Sequence, residues 1–173
     1  PRPDDYQIKQ AADIIKKSKN PIIISGGGIF YSDAMKDLSQ FAKKHNIPTA
    51  QTVMGYSTMK KDDPYFLGAI GGFGGKAPND FMKKTDLAIA IGTKLADFTT
   101  GSWTNFENPN FKLVSINVSR FDANKHMAQS IVGDAKVCIQ DLTVSLWSCK
   151  ASDEWYKKSR RAVKSWNNYL DKE

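Results

Sequence analysis

Apolar residues along this chain follow two alternating rhythms. Ile8, Ala11, Ala12 and Ile15 recur at i, i+3, i+4 and i+7, which puts them on one face of a helix over Asp5–Ser18. Asn20-Pro21 ends that pattern. Pro21-Ile22-Ile23-Ile24-Ser25 follows as a run with no polar side, the mark of a strand covered on both faces, as in a parallel sheet. Gly26-Gly27-Gly28 closes the strand. Ser32 or Asp33 can cap a second helix whose inward stripe is Ala34, Met35, Leu38, Phe41 and Ala42. A second strand is expected over Thr49–Val53, which completes a strand–turn–helix–strand unit.

The glycine-rich stretch from Gly55 to Lys76 has no clear period, and a short helix with Phe81 inward is expected over Lys76–Lys84. Asp86-Leu87-Ala88-Ile89-Ala90-Ile91 is the cleanest strand, ended by Gly92. Further strands are expected at Lys112–Val118 and Ser130–Asp134, and a helix over Ala135–Trp147 with Ile139, Leu142 and Leu146 on one side. A last helix, Ser152–Glu173, carries Trp155, Ala162, Val163, Trp166, Tyr169 and Leu170 on one stripe and basic residues opposite. That stripe is wide enough to need a partner: the sheet, a second copy or a following domain. Alternation of strands and helices throughout predicts an α/β fold, Rossmann-like, three-layered α/β/α, with a mostly parallel sheet.

Composition narrows the class. The 173 residues are 40% hydrophobic and 25% charged, as in a globular domain. No run approaches the ~18 apolar residues of a membrane span and no leader pattern is evident, so the expected location is cytoplasmic and no membrane partner is expected. The net charge of +7 is spread along the chain apart from Lys157, Lys158, Arg160, Arg161 and Lys164. A solvated or domain-docking helix face explains that cluster better than nucleic acid. Cys138, Cys149, His45 and His126 lack metal-ligand spacing, so no metal site is expected and the cysteines read as buried free thiols. The chain opens at Pro1 and stops inside a helical pattern at Leu170–Glu173, which reads as a segment of a longer polypeptide.

Candidate chemistry lies in three glycine-rich places. Gly26-Gly27-Gly28 stands where a strand meets a helix, the position at which a backbone can approach a pyrophosphate. The GxGxxG fingerprint fails there, because its third glycine position is Tyr31, and the second strand ends at Gln51-Thr52 with no acid for a ribose. A purely structural turn is the competing reading. Gly71-Gly72-Phe73-Gly74-Gly75-Lys76 imitates a phosphate loop, but Ile70 and Ala77 occupy the places of its first glycine and its hydroxyl, which excludes an NTPase. Gly92 to Ser102 begins where open α/β sheets place ligands and offers hydroxyls, Lys94 and Asp97. Its competing reading is a loop fixed by its own Asp and Thr hydrogen bonds. No nucleophile–base pair emerges, so no catalytic residue is assigned.

Taken in order, Ile22–Gly28, Asn46-Ile47-Pro48-Thr49, Asp86–Gly92 with Thr93-Lys94, Ile116-Asn117-Val118 and Val132-Gly133-Asp134 resemble the central domain of thiamine-diphosphate enzymes. That group includes acetolactate synthase, pyruvate oxidase and oxalyl-CoA decarboxylase. Asp97–Trp103 and Ser115–Ala123 look closest to its branch of myo-inositol breakdown, which opens a ring by hydrolysing a carbon–carbon bond. The resemblance implies a DHS-like NAD/FAD-binding type of fold over residues 1–150, with 151–173 leading to a following domain. It also implies partners in the same polypeptide: a pyrimidine-binding domain carrying the activating glutamate and a diphosphate-binding domain carrying the Mg²⁺ ligands, in a homo-oligomeric parent. Thiamine diphosphate and Mg²⁺ would then lie outside this chain, which by itself would be inert.

Some relatives bind FAD or ADP in the central domain. A site here, carried over from matching positions, would use Gly26, Gly27, Gly28, Thr93, Lys94, Asn117 and Asp134. Lys94 and Phe98 stand where flavin binders usually carry arginines, a departure that counts against FAD. Two alternatives stay open: an FAD- or ADP-binding domain of an acetolactate-synthase-like transferase, and a free-standing binding module.

Overall fold

The computed structural model describes residues 1–172 and contains six strands in one sheet. In chain order these are β1 (Pro21–Ser25), β2 (Thr49–Gln51), β3 (Phe66–Ala69), β4 (Leu87–Ile91), β5 (Lys112–Asn117) and β6 (Gln129–Val132). Every pairing is parallel and the spatial order is β3-β2-β1-β4-β5-β6. The helices are α1 (Asp5–Lys17), α2 (Gly28–Tyr31), α3 (Met35–His45), α4 (Lys76–Met82), α5 (Asp97–Thr100), α6 (Arg120–Ala123), α7 (Ala135–Leu146) and α8 (Asp153–Leu170).

All five residues of β1 and all five of β4 are buried, which accounts for their lack of a polar face. Successive side chains of a strand point to opposite sides, and two apolar clusters result. Ile23, Ile89, Ile91, Val114 and Ile116 meet Ile8, Ala11 and Ile15 of α1, Leu38 and Phe41 of α3, and Ile139 and Leu142 of α7. On the other face Ile22, Ile24, Ala88 and Ala90 share a cluster with Phe81, Met82 and Trp155. The small alanines of β4 on that face leave space for large rings, and Phe81 stacks on Trp155 with centroids 4.1 Å apart. This is the expected three-layer α/β/α arrangement, with a wholly parallel sheet.

Helix termini follow local chemistry. Asp4 caps α1 by accepting from Tyr6 N–H, and Ser152 caps α8 by accepting from Trp155 N–H. The second long helix departs from expectation. Neither Ser32 nor Asp33 caps it: the chain first makes the single turn α2, Ser32 Oγ donates to Asp134, and Asp33 takes a left-handed φ of 49°. Helix α3 then starts after Ala34 with no side-chain cap, and Met35 is 39% exposed rather than part of the buried stripe. Strand β3 escapes the pattern because it is four residues long, includes Gly68 at φ +124°, and pairs through a register shift at Thr49/Ala50.

The glycine run after β3 is a structural turn. Asn79 accepts from Gly71 N–H at 2.9 Å and donates to the Gly71 carbonyl at 3.1 Å, while Gly72 N–H donates to the Phe98 carbonyl at 3.0 Å. The outer edge of β3 is closed in part by Arg160, whose guanidinium donates to the Phe66 carbonyl at 3.1 Å.

Helix α8 packs on α4 and β3, so its apolar stripe finds its partner in the sheet domain. Only its first turns are deeply set: Trp155 is 3% exposed and its indole N–H donates to the Pro21 carbonyl at 2.8 Å. Trp166 is half-buried, while Tyr169 and Leu170 are exposed. The segment before α8 is fastened to the end of α3. His45 Nδ1 lies 2.7 Å from the Cys149 carbonyl, Ala151 N–H donates to the His45 carbonyl, and Asn46 Nδ2 donates to Ala151 O and Asp153. Cys138 is buried and its thiol is pushed up to about 12 by burial, whereas Cys149 is only half-buried.

Trp155→Ala removes a stacked ring and leaves the Pro21 carbonyl without its donor. It is expected to lower unfolding free energy in urea by about 3 kcal/mol or more. A change below about 1 kcal/mol would show that α8 is not fixed on the sheet as described. Burial holds the His45 imidazole below its ordinary value of 6.5, so its contribution to stability is complete above that pH and falls as acid drives the unfolded chain to take up a proton. His45→Gln should flatten the stability profile below pH 6.5, measured by urea titration at stepped pH.

Candidate functional site

In an open parallel sheet the loops beyond the carboxyl ends of the strands diverge where the strand order reverses, and a crevice opens there. Here the order reverses between β1 and β4. A cleft of about 630 Å³ lies at that point, bordered by the segments after β1, β2, β4 and β5. Gly27, Gly28, Thr93, Lys94 and Asn117 all line it.

The glycines serve packing first. Gly28 N–H donates to the Gly92 carbonyl at 3.0 Å, and a Cβ on Gly28 would stand 2.6 Å from Gly92 Cα. Gly92 itself has φ +63° and meets Gly28 Cα equally closely. A Cβ on Gly26 would lie 2.6 Å from Thr93 Cβ, and Gly26 N–H donates to the Ile91 carbonyl. The two loops therefore cross backbone on backbone, a contact that only glycine allows.

Several polar groups at the cleft are already engaged. Asn117 Nδ2 donates to the Thr93 carbonyl at 3.2 Å and its Oδ1 accepts from Ser119 N–H at 3.0 Å. Thr93 Oγ1 accepts from Leu95 N–H. Asp134 caps α7, accepting from the N–H groups of Lys136 and Val137 and from Ser32 Oγ at 2.7 Å. Burial would raise its carboxyl, but those hydrogen bonds outweigh it and hold the group below its ordinary value. Gly133 and Ala135 on either side line the cleft, while Asp134 is turned to the helix.

Lys94 is the only lysine or arginine lining the cleft among the described residues. Asp122, another lining residue, is bonded by Lys125 at 2.8 Å; that bond, with Ser119 and the nearby Lys94 charge, keeps its carboxyl low. Backbone donors remain: no group among the described residues accepts from the N–H of Gly27, Thr93 or Lys94. The rest of the lining is apolar and includes Tyr31, Val53, Met54, Phe98 and Val118. Sequence reasoning did not pick these out as site residues. The available signal was Val53-Met54 and Val118 directly after strands, where polar turn residues are the norm.

No group of three His, Cys, Asp or Glu side chains placed to hold a metal ion occurs among the described residues. No helix among them is long and apolar enough to cross a membrane.

The all-parallel sheet with glycine turns at its switch point defines a nucleotide-fold α/β domain. More narrowly, the chain belongs to the family of thiamine pyrophosphate enzyme central domains, whose model matches residues 8–142. It is similar to 3D-(3,5/4)-trihydroxycyclohexane-1,2-dione hydrolase of Clostridium perfringens strain 13, 41% identical over 164 residues that make up 95% of this chain and 26% of the relative. The hydrolase of the same name from Clostridium botulinum strain Alaska E43 is 46% identical over 138 residues, 80% of this chain and 22% of that protein. One of the Bacillus cereus strain ZK enzymes is 36% identical over 97% of this chain and 26% of its own length. The chain thus spans about a quarter of the curated relatives it matches.

Gly28→Ala forces the β1 and β4 loops apart and is expected to destabilise the chain by about 1–3 kcal/mol, read as a lower urea midpoint. An unchanged midpoint would contradict the backbone crossing. Asp134→Ala removes the α7 cap and should cost about 1 kcal/mol at pH 7. The carboxyl is held below 3.8, so that difference is present above this pH and vanishes as acid protonates the native group. A cost that persisted undiminished at pH 2 would mean that Asp134 acts through something other than its charge.

Proposed function

We propose that this chain is the structural central domain of a thiamine-diphosphate- and Mg²⁺-dependent hydrolase that opens the ring of trihydroxycyclohexane-1,2-dione by carbon–carbon hydrolysis in myo-inositol catabolism. Its work is to space and orient catalytic domains of the same polypeptide. A pyrimidine-binding domain would precede it and a diphosphate-binding domain would follow, with α8 leading toward the latter. The parent would be a cytoplasmic homo-oligomer. Three relatives of that one name, each aligned over most of this chain, support the choice of enzyme.

The observation that carries the structural role is the internal use of the cleft's polar groups. A pyrophosphate needs several free donors or cations in a hydrogen-bonding cradle. Here the donors left are the N–H groups of Gly27, Thr93 and Lys94, while the Asn117 amide is engaged within the chain, the Lys94 cation stands near the carboxylate of Asp122, and α2 is a single turn. On this reading Gly26, Gly27, Gly28, Thr93, Lys94, Asn117 and Asp134 stand at the positions of a vestigial nucleotide site, of which Gly26, Gly28, Asn117 and Asp134 serve loop packing. FAD and ADP do not fit this donor set well. Thiamine diphosphate does not fit it either: Gly133-Asp134-Ala135 lacks the second glycine of a Gly-Asp-Gly metal motif, and Asp134 is committed to α7. The groups that activate that cofactor would come from the flanking domains.

Thermal unfolding of the chain in the presence of FAD or ADP tests the role. A ligand at 100 times its dissociation constant adds about 2.7 kcal/mol. No rise in melting temperature is expected with either nucleotide up to millimolar concentration. A saturable rise would replace the structural role with the FAD- or ADP-binding domain of an acetolactate-synthase-like transferase.

A further inference from the structure

Because all six strands are parallel, the segments that follow them emerge at one edge of the sheet. Large apolar side chains stand exposed in those segments: Tyr31 after β1 (89%), Met54 after β2 (74%), Phe73 after β3 (78%) and Phe121 after β5 (75%). All but Phe121 are linked across the edge. Phe73 packs on Phe98 with ring centroids 4.8 Å apart, while Phe98, Tyr31, Met54 and Val118 border the same cleft. Solitary exposed apolar residues are ordinary, but a connected set of this size marks a contact surface.

Position argues for what covers it. A phosphorylated ligand would compete for the Asn117 amide, which already donates to the Thr93 carbonyl, and would meet the carboxylate of Asp122 on the cleft wall. Apart from Lys94 and the N–H groups of Gly27, Thr93 and Lys94, the exposed side chains of the rim are aromatic and aliphatic, the composition of the buried centre of a protein interface. The curated relatives devote about three quarters of their length to sequence outside this match. We propose that this carboxyl-edge rim is the seat of an apolar face of another domain of the same polypeptide, which closes over the cleft with Met54, Phe73 and Phe98 at the centre of the contact. The inference rests on the flanking domains proposed above. Absence of ring-opening activity in the full polypeptide would sink that assignment without changing which side chains are covered.

Hydroxyl-radical labelling of the full polypeptide, read by mass spectrometry and normalised to the unfolded protein, tests it. Met127 and Trp147 serve as internal controls, since both are exposed and neither borders the cleft. Tyr31, Met54 and Phe73 should label severalfold less than these controls, unchanged on dilution or on addition of ADP. Labelling equal to the controls overturns the proposal. So does protection that needs ADP, which would make the rim a ligand site, or protection lost on dilution, which would make it a contact between copies. The double variant M54K/F73K gives a second reading. It should lower the melting temperature of the full polypeptide by more than that of the 173-residue chain, which loses only the ring contact with Phe98. An equal loss in both would place these side chains in the domain's own core and overturn the proposal.

Discussion

Two strands buried along their whole length at the centre of the sheet constrain everything else in this domain. Neither β1 nor β4 has a polar face, so helices must cover both sides, and only a parallel sheet with crossover helices provides that cover. Burial also dictates how the two strands end. Their adjacent carboxyl termini have to release the chain in a crowded place, and Gly28 and Gly92 answer this by letting one backbone rest on the other. The crevice that parallel sheets reserve for ligands is thus shaped by a packing contact before any ligand is considered.

The same constraint accounts for the state of the cleft. Asn117 at the end of β5 ties the β4 loop to its own through Thr93 and Ser119, and Asp134 after β6 joins the first turn of α7 to Ser32. These hydrogen bonds give the loops a fixed form and leave apolar side chains facing outward. Loops fixed in this way fit the proposed role of holding flanking domains in register, and the curated relatives are about four times the length of the match.

Much of the fold was legible because its main elements are locally unambiguous. Ile22–Ile24 and Leu87–Ile91 admit no amphipathic reading, and the spacing of Ile8, Ala11, Ala12 and Ile15 fits only a helix. Strand β3 was not legible, since Gly68 and a register shift erase its period and its pairing is supplied by β2. The start of α3 was misjudged because Ser32 is a good cap in isolation, yet in the folded chain its hydroxyl is engaged by Asp134, one hundred and two residues away. The cleft shows the same division. Its glycines and Lys94 stand out in sequence, while the engagement of Asn117 and the contribution of Tyr31, Met54 and Phe98 arise only when distant segments meet.

The central claim is that this domain supplies architecture while the chemistry is done elsewhere in the polypeptide. Its most direct test is the steady-state rate of dione ring opening by the full polypeptide carrying Thr93→Val and Lys94→Ala together. The rate at saturating substrate should stay within about twofold of the parent if, as proposed, the reacting atoms are held by the flanking domains. A loss of about 100-fold or more, the scale of a removed transition-state contact, would contradict the account.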